Sequence, residues 1–325
     1  MGSLYLRKQL KLKRLIFMKN IAFIFPGQGS QKVLMGKDFY DNFSTSKEVF
    51  EKADSLLNYK LTDIMFKGPK EKLDLTQNSQ LALFINSVAI LKAIEEKYPN
   101  ITAKICAGLS LGEYSALFAS KKLSFDELLF LIQKRAAFMD GACKLNKGAM
   151  AAIINLNIDT VKDVIKDFED VWIANINTDQ QIVISGKKES IEKACIALKE
   201  KGAKRALLLD VQGAFHTPFM KSAEDNLKNE ILQANFVDSN IDLVMNVTAK
   251  KPQDTSNLKT NLIKQVSSTI KWAETIRNMD ESVDLFIEIG SKALTNMNRK
   301  IGVKAKCIAI EKVSDLKELE NAFEK

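Results

Sequence analysis

AKICAGLSLGEYSALFAS, residues 103–120, decides how the rest of the chain is read. Its opening, residues 103–107, is a short apolar run that predicts a buried strand, and Glu113 to Ser120 predicts a helix. Between them Gly108-Leu109-Ser110-Leu111-Gly112 fits the pattern G-x-S-x-G in the strand-to-helix context that pattern needs. Such a sharp turn strains the serine backbone and exposes its hydroxyl, while flanking glycines give the turn room. The helix behind it aims N–H groups and a positive dipole end at any developing oxyanion. Ser110 is therefore the candidate nucleophile, against the rival reading of an ordinary tight turn.

Outward from this turn, strands and helices alternate. Ile21 to Phe25 reads as a buried strand ended by Pro26-Gly27-Gln28-Gly29-Ser30, and residues 46–57 and 79–97 have helical periodicity. Residues 124–142 form a further helix. The alternation predicts a mostly parallel α/β sheet. Residues 147–210 differ. Strands at 149–156, 171–178, 181–185 and 203–209 and helices at 159–168 and 189–201 follow the order β-α-β-β-α-β, the split unit of a ferredoxin-like domain. The α/β pattern resumes with a strand at 241–247, a helix near 258–279, and strands at 284–289 and 305–310. The predicted organisation is a large α/β domain, 18–146 and 211–325, with a small domain, 147–210, inserted in it.

With 325 residues, 46% of them hydrophobic, the chain can bury a substantial core. No apolar run approaches the roughly 18 residues that span a bilayer. Cys106, Cys143, Cys195 and Cys307 lie far apart without a C-x-x-C pair, which predicts free thiols in a reducing, cytoplasmic setting, and no metal. Of the formal charge of +8, five units sit in residues 1–17 (Arg7, Lys8, Lys11, Lys13, Arg14), leaving +3 for the rest. That extension reads as an upstream start before Met18; a targeting peptide is the rival, but a small-residue cleavage pattern is missing. A residual +3 favours an acidic partner weakly and argues against nucleic acid.

A serine nucleophile needs a base, and the chain has one histidine, His216, in the turn-rich stretch Gln212 to Pro218. A lone histidine is ordinarily structural; the serine turn makes it the candidate base. The group that orients it is open: Asp225, Asp242, Asp284 and Glu288 lie downstream, and a carbonyl or amide would serve equally. The loop carrying Gln28 can supply a second N–H to an oxyanion; phosphate cradling is its rival, without a Walker A or G-x-G-x-x-G motif to support it. Arg135 lies on an otherwise apolar helix face, where it must find an anion, either a substrate carboxylate or a structural one.

These residues together resemble the malonyl-CoA:acyl carrier protein transacylases of fatty-acid synthesis. The matching stretches are FPGQGSQ (25–31), GLSLGEYSAL (108–117), residues 133–139 around Arg135, GAMAAII (148–154), QIVISG (181–186), GAFHTPFM (213–220) and QVSSTIKW (265–272). The resemblance implies an α/β-hydrolase-like large domain with a ferredoxin-like insertion. It implies that Ser110 carries the acyl group and His216 is its base. The N–H groups of Gln28 and Leu111 form the oxyanion hole, Arg135 clamps the malonyl carboxylate, and Met139 lines the pocket. Gln265 orients His216 through its main-chain carbonyl. Phe215, directly before the base, goes with malonyl over methylmalonyl in related acyltransferases. The implied partners are malonyl-CoA and acyl carrier protein, with no metal or redox cofactor, no nucleic acid and no membrane, and the chain acting as a monomer. A serine esterase or thioesterase, or an acyltransferase for methylmalonyl-CoA, is the alternative. Two departures stand out: Leu109 where the family often has histidine, and Gly290-Ser291-Lys292 where it often has proline and glycine.

Overall fold

A computed structural model describes residues 19–323; the basic extension lies outside them. Five strands form a parallel sheet: β1 (Ile21–Phe25), β2 (Ile105–Gly108), β7 (Asp242–Leu243), β8 (Leu285–Ile289) and β9 (Lys306–Ile310), in the order β7-β2-β1-β8-β9. Central β1 is buried at every position. Its alternate residues serve two cores: Ile21, Phe23 and Phe25 face one, Ala22 and Ile24 the other. This period of two on a doubly covered sheet is why the strand reads as an unbroken apolar run. The helices that bear on the site are α1 (Thr76–Lys97), α2 (Gly112–Ala119) and α3 (Phe125–Leu145), the last capped by Ser124, whose Oγ accepts the Glu127 N–H.

A second, antiparallel sheet holds β3 (Gly148–Ile154), β4 (Val171–Thr178), β5 (Gln181–Lys187) and β6 (Arg205–Leu208) in the order β4-β5-β3-β6. Helices α4 (Ile158–Ile165) and α5 (Lys188–Glu200) cover one face, where Ile153, Ile182 and Ile184 meet Val161, Ile191 and Leu198. From the other face Met150, Ala174 and Val183 join the main core.

Two sequence expectations change. The strand expected at 241–247 pairs only over Asp242–Leu243, because it is the sheet's edge. The helix expected near 258–279 is broken into α7 (Thr255–Lys264) and α8 (Trp272–Asp280), with α6 (Lys221–Gln233) packed before them. Ile270, between the two halves, pairs with β4: its N–H donates to the Ala174 carbonyl at 2.8 Å and its carbonyl accepts from the Ile176 N–H at 2.9 Å. Apolar periodicity carries through the segment, yet strand-like pairing with the second sheet wins over local helix formation. The last helix before the C-terminal strand is α9 (Ala293–Ile301).

All four cysteines are free, as expected, and three are buried. No helix among the described residues is long and apolar enough to cross a membrane.

Candidate active site

Ser110 sits in the turn between β2 and α2 with φ 53°, the left-handed region. The turn is made possible by glycines whose missing side chains matter: a Cβ on Gly108 would overlap the Gly112 backbone, and one on Gly112 would overlap the Phe25 carbonyl. Leu109 N–H donates to that same Phe25 carbonyl at 3.0 Å, so β1 and its following loop lie directly against the turn. Gln28 is in that loop. Among the described residues neither the Gln28 nor the Leu111 N–H has a protein acceptor. The Leu111 N–H is one of the free donors at the start of α2, and such groups suit a developing negative charge.

His216 lies against Ser110. Its Nε2 is 2.8 Å from Ser110 Oγ, and its Nδ1 is 2.8 Å from the main-chain oxygen of Gln265. The carbonyl can only accept, so Nδ1 carries the proton and Nε2 is left as the acceptor for the serine hydroxyl. Burial, reinforced by the charge on Arg135 and opposed by the Gln265 carbonyl, depresses the imidazole to about 3. The ring is therefore neutral at physiological pH, the form a general base requires. Gln265 can offer its carbonyl because α7 ends there: the break in the expected helix frees an oxygen that a continuous helix would have used internally. None of the four downstream acids orients the histidine. Asp225 pairs with Lys221 and Asp242 with Lys251, Asp284 accepts from the Asn20 N–H, and Glu288 caps α9 through the Leu294 and Thr295 N–H groups. Ser291, at the second departure, donates to that same Glu288 at 2.7 Å, so the altered loop supports a helix cap.

Arg135 projects from α3 into this site and is 1% exposed. It donates to Gln80 Oε1 at 2.7 Å, Gln265 Oε1 at 3.0 Å and Ser110 Oγ at 3.1 Å, and stacks over the Tyr114 ring at 5.4 Å. Among the described residues no acid lies within salt-bridge distance of it, the Glu113 carboxyl acts on it only from further off, and its Nε has no partner. A buried cation held by neutral groups is poised to gain from an arriving anion. Met139, one turn along α3, is buried and accepts from Gln80 Nε2 at 3.6 Å. Phe215 is buried beside the base. Among the described residues no group of histidine, cysteine and acidic side chains could hold a metal ion.

The site contains three members that sequence reasoning passed over. Gln80 anchors Arg135. Asn246 and Glu113 lie beneath the turn. Glu113 stands inside the GLSLGEYSAL stretch, but charge alone did not mark it; Asn246 sits in a plain segment with no local signal.

An acyl transferase domain matches residues 22–320. A malonyl CoA-acyl carrier protein transacylase of Bacillus subtilis is 39% identical over 94% of this chain and 97% of its own length. This chain belongs to the malonyl CoA-acyl carrier protein transacylase family. Among solved structures, an acyl-carrier-protein S-malonyltransferase from Bartonella henselae is similar, with a TM-score of 0.89 and 35% identity over 94% of this chain and all of that one. A malonyl-transacylase in complex with a type II PKS acyl-carrier protein is also similar, at a TM-score of 0.88 and 32% identity over 94% and 99% of the two chains. Against this transacylase background, Leu109 is a local substitution: it is partly buried against the apolar core on that side of the sheet and leaves the Ser110–His216 contact intact.

Proposed function

We propose that this chain transfers malonyl from coenzyme A to the thiol of an acyl carrier protein, in fatty-acid biosynthesis, by a ping-pong route through an ester on Ser110. The observation that carries it is Arg135, a buried guanidinium with no salt-bridge partner among the described residues, whose Nη2 reaches the nucleophile's own oxygen. A malonyl thioester brings a carboxylate two carbons from the reacting carbonyl, and a planar fork suits it bidentately.

His216 Nε2 takes the Ser110 proton as Oγ attacks the thioester carbon. The N–H groups of Gln28 and Leu111 hold the oxyanion. The carbon–sulfur bond breaks, the coenzyme A thiolate receives the proton from His216, and malonyl remains on Ser110. The carrier thiol then reverses the steps: His216 accepts its proton, sulfur attacks the ester, and the serine oxygen leaves reprotonated. Gln265 orients the base throughout through its carbonyl. Water is outcompeted by a thiol delivered from a docked partner at high effective concentration. Neither metal nor redox cofactor enters these steps. The working unit in this reading is a monomer, and the free thiols suit the cytoplasm.

The strand order β4-β5-β3-β6 supports reading residues 147–210 as a ferredoxin-like domain inserted into an α/β-hydrolase-like one spanning 18–146 and 211–325. Mass spectrometry of the protein mixed with malonyl-CoA tests the proposal. One malonyl group on Ser110 is expected, with far less labelling by acetyl-CoA; equal labelling, or rapid loss of the acyl group to water without carrier protein, would favour an esterase or thioesterase.

Phe215 and Met139 bound the pocket in this reading, and Phe215 sets the bulk permitted at the malonyl α-carbon. One methyl group is worth about 1–3 kcal/mol of discrimination. Phe215→Ala is expected to raise kcat/KM for methylmalonyl-CoA relative to malonyl-CoA by about tenfold or more. An unchanged ratio would remove Phe215 from specificity.

A further inference from the structure

We propose that the Asn246 side chain, held in place by Glu113, is the positioning residue that fixes the backbone of the nucleophile's turn. β7 pairs with β2 only as far as Cys106, where the Val244 N–H donates to the Cys106 carbonyl at 3.0 Å. Beyond that point the chain of β7 can no longer follow the turn. The Asn246 carboxamide takes over: its Nδ2 donates to the Gly108 carbonyl at 2.6 Å, and its Oδ1 accepts from the Ser110 N–H at 2.7 Å. One planar amide thus bridges the two peptide units on either side of Leu109, as a peptide group of a neighbouring strand would. It does so at the residue whose left-handed φ aims the hydroxyl at His216.

Asn246 is itself immobilised. Its N–H donates to Glu113 Oε2 at 2.7 Å, and its carbonyl accepts from the Lys271 N–H at 3.0 Å. Glu113 is wholly buried and its Oε1 has no partner. Burial pushes its carboxyl up to about 8, while the Asn246 N–H, the Gln265 side chain and Arg135 pull the other way. The only contact Glu113 makes to Asn246 needs an acceptor oxygen, which a neutral carboxyl or an amide supplies as well as a carboxylate. Because the Ser110 N–H is spent on Asn246, it is withdrawn from the oxyanion, which leaves that task to the Leu111 and Gln28 N–H groups. Neither Asn246 nor Glu113 touches the reacting atoms in this account; both act through Ser110.

The inference rests on Ser110 as the nucleophile, and the experiment separates the two. Single-turnover malonylation is followed by mass spectrometry in the wild type, Asn246→Ala, Glu113→Gln and Glu113→Leu, with malonyl-CoA affinity measured in parallel. An unlabelled wild type would overturn the reading of Ser110, not the positioning role. Given a labelled wild type, Asn246→Ala is expected to acylate about 100-fold more slowly, the penalty of a small misplacement, with malonyl-CoA affinity within about threefold. Glu113→Gln is expected to stay within about threefold of the wild type in both measures, because its amide oxygen still accepts the Asn246 N–H, whereas Glu113→Leu falls towards Asn246→Ala. A role confined to stability would lower the melting temperature without slowing acylation per folded molecule. Folded Asn246→Ala acylating at the wild-type rate overturns the proposal. Should that variant not fold, Asn246→Leu, which fills the space but can neither accept from Ser110 nor donate to Gly108, carries the same test with the same outcomes.

Discussion

Ser110→Ala is expected to lower malonyl transfer to carrier protein by about 10⁴-fold or more, and His216→Ala by a similar factor. The double variant should be no slower than either single one. The reason is the geometry of the pair: every proton that the imidazole moves, 2.8 Å from the hydroxyl, belongs to a step that makes or breaks the ester on that hydroxyl, so removing either partner removes the same route. The residual rate reflects binding and the oxyanion donors, which both substitutions leave in place. Single-turnover transfer to a carrier thiol, with intact-mass detection of the acyl-enzyme, checks all three variants. Multiplicative losses in the double variant, or transfer surviving Ser110→Ala, would mean that the two side chains act separately and that the ester route is wrong.

Arg135→Met carries the second large effect. In the wild type the guanidinium hydrogen-bonds to Gln80, Gln265 and Ser110, with no carboxylate in salt-bridge contact among the described residues. A malonyl carboxylate entering the site exchanges water for this cation. Without the arginine the carboxylate is buried unpaired, which costs about 3–5 kcal/mol. That corresponds to a loss of roughly 10²- to 10³-fold or more in kcat/KM for malonyl-CoA. Acetyl-CoA brings no carboxylate and should be nearly indifferent, so the ratio of the two substrates collapses. Stability should change far less. Losing a buried charge is favourable, whereas Gln80 Oε1 and Gln265 Oε1 each lose a donor, at about 1–3 kcal/mol apiece if left dry. These terms oppose one another. A large fall in melting temperature with an unaltered malonyl-to-acetyl ratio would assign Arg135 to structure.

The parts of the site that were legible in the sequence are those whose chemistry is local. Ser110 announced itself through two glycines and a strand–helix context, all within five residues. His216 followed from scarcity, being the only imidazole in the chain. Arg135 was conspicuous as a charge on an apolar helix face, but its lack of an acidic partner was not readable. Gln265 entered through family resemblance; the residues around it suggested a continuous helix. The error in that segment and the function of Gln265 have one cause, since pairing of Ile270 with β4 ends the helix and so leaves a carbonyl for the base. Asn246 had no signal at all, because an asparagine in an edge segment looks the same whether it faces water or bridges a nucleophile's turn.

By itself the sequence determined the alternation of strands and helices, the β-α-β-β-α-β order of elements within residues 147–210, and the two side chains able to exchange a proton, because periodicity and turn chemistry act over a few residues. Tertiary structure alone decided which carbonyl holds the histidine, which amide holds the serine, and which neutral groups hydrogen-bond the arginine. Those are pairings across 49, 136 and 130 residues, of His216 with Gln265, Ser110 with Asn246, and Arg135 with Gln265. A local pattern states which face of an element is buried; the partner that meets it there depends on how distant segments pack.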